Sequence, residues 1–139
     1  MLHATLIAKL NEALGWELRA INMYAHYAAN VRGIHRLQLG PMFDSEATES
    51  LAHANIVRQS IVKLQGIPVT ERAPHPIIHT TEYSEMLQFS LETETQAAAV
   101  YGDVMIQLEE ADDQDLKDAI EQIYLAELRS VEELRLLME

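Results

Sequence analysis

The sequence predicts an all-α fold: one four-helix bundle in which two antiparallel hairpins are joined by a long crossover. Three observations predict it. The chain of 139 residues has only 5 glycines and 4 prolines. Most of them gather at two breaks, Gly33–Gly40–Pro41 and Gly66–Pro68–Pro74–Pro76, with a milder break at Asp112–Asp113. Between the breaks, apolar residues recur every three or four positions, the signature of a helix with one buried face. Aromatic residues make up 6% of the chain and β-branched runs are short, which leaves little from which to build strands.

The first helix is expected over about 3–32, with an inner stripe of Leu6, Leu10, Ala13, Glu17, Ala20, Tyr24, Tyr27 and Val31. The second, over about 42–66, starts after Gly40–Pro41 and carries Phe43, Glu46, Ser50, His53, Val57, Ile61 and Leu64. The third, over about 82–110, carries Leu87, Leu91, Glu94, Ala98, Tyr101, Met105 and Leu108. The fourth, over about 114–138, carries Leu116, Ile120, Ile123, Glu127, Ser130, Leu134 and Leu137, and Asp112 or Asp113 is placed to cap it. The first and last connections are short, so those pairs are antiparallel neighbours. The middle one, Ile67 to Thr81, is long and held extended by proline. The whole, 1–139, reads as a single domain.

Composition narrows the function. Ten Lys+Arg against 22 Asp+Glu give a formal net charge of -12, which disfavours nucleic acid and anionic membranes as partners. With no cysteine, disulfides, thiolate metal sites and a catalytic thiol are excluded. Met1 to Leu10 already contains Lys9, so no signal peptide is read there. No stretch approaches the roughly 20 apolar residues of a membrane span. A soluble, cytoplasmic protein is expected.

Four polar residues interrupt the inner stripes near mid-helix: Glu17, His53, Glu94 and Glu127, one per helix. A buried, unpaired carboxylate costs several kcal/mol, so three together must share protons or a cation. Carboxylates and imidazoles on facing helices are how bundles bind pairs of iron or manganese ions.

The segments LNEALGWELRAINMYAHYA, ESLAHANIVRQSIVKLQGIP and LETETQAA resemble bacterioferritin, in the ferritin-like superfamily, whose bundle has the same single long crossover. The resemblance implies metal ligands at Glu17, His53, Glu94 and Glu127. It also implies two losses. The family's glutamate on the second helix falls on Ser50, and its histidine on the fourth falls on Ser130. Glu17, His53 and Glu127 then make one half able to hold a metal, and Glu94 with a shared Glu127 a weaker half. Glu46 and Glu49, each one turn from a site position, are further candidate ligands. Tyr24 falls on the family's tyrosine beside the di-iron site, and Tyr101 and Tyr124 are expected to reach the carboxylates. The haem-ligating methionine falls on Leu51, so haem is not expected. The sequence stops at Glu139, without the family's short fifth helix.

The implied function is binding of iron or another divalent metal, as a mononuclear or dinuclear centre, with ferroxidase-like oxidation or storage as its activity. The alternative is a non-catalytic bundle with a vestigial site that serves as a structural or interaction subunit within a mixed assembly. Apolar residues outside the stripes, Leu2, Leu14, Leu18, Ile21, Ile56 and Val62, predict a homodimer or larger assembly through the first two helices. His75 and His79 read as crossover surface, and His3, His26 and His35 show no partner pattern.

Overall fold

The structure is a computed structural model and describes residues 3–139. Four helices follow in order: α1 (Ala4–Asn30), α2 (Arg36–Lys63), α3 (Tyr83–Leu108) and α4 (Gln114–Leu137), with no strand among the described residues. α1 packs on α2 and α3, α4 on α3 and α2, and the crossover between α2 and α3 runs along α1.

α1 is the most enclosed element. Its stripe from Leu6 to Val31 is buried throughout, and the crossover covers a further side. There the Asn11 side chain donates to the Ile67 carbonyl and accepts from the Val69 N–H, at 3.0 and 2.8 Å. The Ala73 N–H donates to the Gly15 carbonyl at 2.9 Å. A Cβ on Gly15 would lie 3.3 Å from the Ala73 nitrogen, so this close approach suits a residue without one. Arg19, 8% exposed, donates to the carbonyls of His75 and Pro76 and to Thr93 Oγ1. These contacts satisfy backbone groups that an irregular segment could not pair within itself.

Three expectations are corrected. α2 begins at Arg36, not near 42, and passes through Gly40 and Pro41. Proline in the second turn forfeits one helical hydrogen bond and its φ is already helical. The clash it makes with the Cβ of a preceding residue is absent because that residue is glycine. Leu14 does not lie on an outer face: it is fully buried, because α1 is covered by α2, α3 and the crossover. The inner stripe of α4 ends at Leu134, and Leu137 is 49% exposed. Leu2 lies outside the described residues.

Asp113 caps α4 by accepting from the Leu116 N–H at 3.0 Å, and its carboxylate meets Lys63 Nζ at 2.7 Å, tying the end of α2 to the start of α4. The apolar core falls into two clusters. One holds Leu10, Leu14, Val57, Ile61, Val104 and Ile120 among others. The other holds Met23, Tyr24, Tyr27, Phe43, Met86 and Leu134 among others. On each helix, the polar residue of the inner stripe falls at the boundary between them. No described helix is long and apolar enough to cross a membrane.

Candidate metal centre

The helical repeat carries each polar residue inward at one depth. Glu17 (α1), Glu94 (α3) and Glu127 (α4) are each at most 3% exposed, and the His53 side chain (α2) is 12% exposed. His53 Nδ1 stands 3.2 Å from Glu17 Oε2 and 3.2 Å from Glu127 Oε1. One donor atom from each of the three lies within 4.8 Å of the others. Two tyrosines orient the carboxylates: the Tyr101 hydroxyl donates to Glu17 Oε2 at 2.7 Å, and the Tyr24 hydroxyl to Glu94 Oε1 at 2.6 Å. Glu127 Oε2 is buried with no hydrogen-bond partner.

Burial raises all three carboxyl pKa values, because a low-dielectric core disfavours the charged form. Glu94 is pushed up furthest. Its burial is compounded by the charge of Glu127, which faces it. Burial alone would lower the pKa of His53, but hydrogen bonds and charges from Glu127 and Glu17 outweigh it and raise the imidazole to about 10. Without a cation, the imidazolium of His53 sits between the carboxyl groups of Glu17 and Glu127. The phenols of Tyr24 and Tyr101 are held protonated by burial and by the neighbouring carboxylates.

Glu17, His53 and Glu127 thus converge, whereas Glu94 is turned toward Tyr24 and Glu127. Glu49 reaches the other side of the imidazole, its Oε1 3.6 Å from His53 Nε2, with 42% of its side chain exposed. Glu46 is half-buried. Burial and the charges of Glu94 and Glu49 raise its carboxyl to about 7. Ser50 is buried and Ser130 half-buried, each three residues from its helix's site residue. Tyr124 does not join the carboxylates: it is half-buried, and its ring packs beside Gly102. Arg58 donates to Asn55 Oδ1 at 2.7 Å. Leu51 is 49% exposed on the outside of α2.

Three histidines find partners where the crossover meets α1. His26 Nε2 lies 2.9 Å from His79 Nδ1, and the His75 ring packs on Trp16 with centroids 4.7 Å apart. Both contacts depend on how the crossover folds back along α1, which helical periodicity does not encode.

The donor set fits a divalent transition metal. Two carboxylates and an imidazole nitrogen surround one point, and an unpartnered carboxylate oxygen is available to ligate.

A ferritin-like domain model matches residues 7–139. A solved structure of a ferritin-like, diiron-carboxylate protein from Bacillus anthracis str. Ames is 32% identical, with a TM-score of 0.91 over 97% of this chain and 96% of that one. No curated protein sequence matches the chain.

Proposed function

The chain belongs to the family of ferritin-like domains, and we propose that it is a bacterioferritin-like iron-binding protein with an asymmetric centre. The observation that carries this reading is the convergence of Glu17, His53 and Glu127 in the core, each donor within 4.8 Å of the others. These three would hold the first ion, and Glu94 with Glu127 the weaker second. A ferrous ion there would be the substrate, supplying electrons to dioxygen.

The chain's own residues set what the site can do. Binding requires His53 to lose its proton and the carboxylates to be free of theirs, so uptake releases protons. Tyr101 holds Glu17 with one oxygen engaged, and Tyr24 does the same for Glu94. Ser50 and Ser130 bring neither an anion nor an imidazole to the second half, which limits two-electron chemistry. Leu51 has no lone pair with which to ligate haem iron, so no haem is expected in the protein.

Ferrous iron titrated in air, with ferric absorbance as the readout, tests the reading. The native chain should take up about one tightly held iron per subunit and oxidise it slowly. Ser50→Glu combined with Ser130→His should oxidise two, and faster. Equal rates would remove the asymmetry. If the purified native chain and Glu127→Ala carry the same metal content, the centre is vestigial and the bundle is a structural or interaction subunit.

A further inference from the structure

We propose a second metal site on the surface, formed by His26 of α1 and His79 of the crossover, for a divalent transition metal such as Ni²⁺ or Cu²⁺. It is separate from the centre in the core, to which neither residue contributes. The two residues are 53 positions apart, yet His26 Nε2 and His79 Nδ1 stand 2.9 Å from each other, with ring centroids 5.1 Å apart and planes inclined by 73°. Side chains that meet this way form a two-point chelate.

The distance places both rings within reach of one ion. Metal–imidazole bonds are about 2.1 Å long, so two ligands at a right angle on one ion have nitrogens about 3.0 Å apart, and two at a tetrahedral angle about 3.4 Å. The observed 2.9 Å, the length of a ring-to-ring hydrogen bond, already brings the two nitrogens within the span that one ion needs, and imidazole nitrogens suit Cu²⁺ and Ni²⁺. A small swing of the exposed His79 ring points both lone pairs at one ion once the proton between the rings has moved to the far nitrogen of the ring that carries it.

The surroundings are partly built for it. His26 is half-buried, and Asn30 Nδ2 bonds the His26 carbonyl at 2.8 Å and lies 3.5 Å from its Nδ1. That holds the ring one turn from the helix end with Nε2 turned toward the crossover. Asn22, one turn earlier on the same helix, lines the same cavity of about 200 Å³ with Ile77 and Arg72. Its side-chain oxygen is available as a third ligand. Arg72 opposes a cation, which makes its removal informative.

Calorimetric titration of the full chain with Ni²⁺ tests the proposal. His26→Ala and His79→Gln should each weaken one Ni²⁺ site by about tenfold or more and leave ferrous oxidation at the core unchanged. Glu127→Ala should retain that site, and Arg72→Ala should tighten it. If both histidine variants bind Ni²⁺ like the native chain, the pair is only a hydrogen bond between α1 and the crossover. If Arg72→Ala weakens binding, the cavity is not a cation site. Either result overturns the proposal.

Discussion

At the scale of single residues, the centre makes the bundle sensitive to pH in a direction opposite to most acidic proteins. Burial raises the carboxyls of Glu17, Glu94 and Glu127, so without a metal the folded state binds more protons than the unfolded one above about pH 4.5. His53, raised to about 10, does the same above about pH 6.5. The stability its pairing gives is complete below that point and is lost as pH rises toward 10. Both effects have the same sign. In chelator, stability measured by urea unfolding should fall steadily from about pH 5 to about pH 9, whereas metal affinity should rise over that range because ligands must shed protons. A flat or rising curve in chelator would contradict the assigned protonation. Tyr101→Phe should cost about 1.5–3 kcal/mol, the usual size of a hydrogen bond to a charged group, since it strips Glu17 of its hydroxyl donor. Thermal or urea unfolding at neutral pH measures it.

At the scale of elements, what could be read in advance depended on whether a residue's neighbours lie on its own helix. The stripes of α1 and α3 follow from periodicity alone, and so does the shared depth of Glu17, His53, Glu94 and Glu127. The start of α2 was hidden because Gly40–Pro41 has the composition of a break. Only the covering of Leu39 and Phe43 in the core makes a helix worth continuing through it. The meeting of His26 with His79 was equally hidden, since it arises between elements. The proline should still carry a local cost. Pro41→Ala restores a donor at an exposed site and should stabilise the protein by about 1 kcal/mol, less than the roughly 3 kcal/mol of a mid-helix proline. Chemical denaturation would show it, and a loss of stability would mean that the rigid ring benefits the fold.

At the scale of the whole molecule, α1 and α2 keep an apolar face that the core covers only in part. Leu18, Ile21 and Ile56 are half-buried, and Leu51 and Val62 are 49% and 58% exposed. We expect a homodimer through this face. Light scattering should give twice the chain mass for the native protein and the monomer mass for Leu51→Glu combined with Val62→Glu. A native monomer would remove the pairing.

The polar layer that parts the core also sets how the bundle comes apart. Among the described residues, eleven buried apolar side chains on the Tyr24 side face eighteen on the Leu10 side, and the Glu–His seam between them supplies little apolar cohesion. The two halves are therefore candidates for separate cooperative units, with the smaller one opening first. An ion bridging α1, α2 and α4 at the seam would rivet the halves together. In chelator, amides around Met23 and Met86 should exchange with solvent faster than those around Leu10, Val57 and Ile120. Added metal should close that gap, so the same three residues that hold the ion would decide whether the chain unfolds in one step or two.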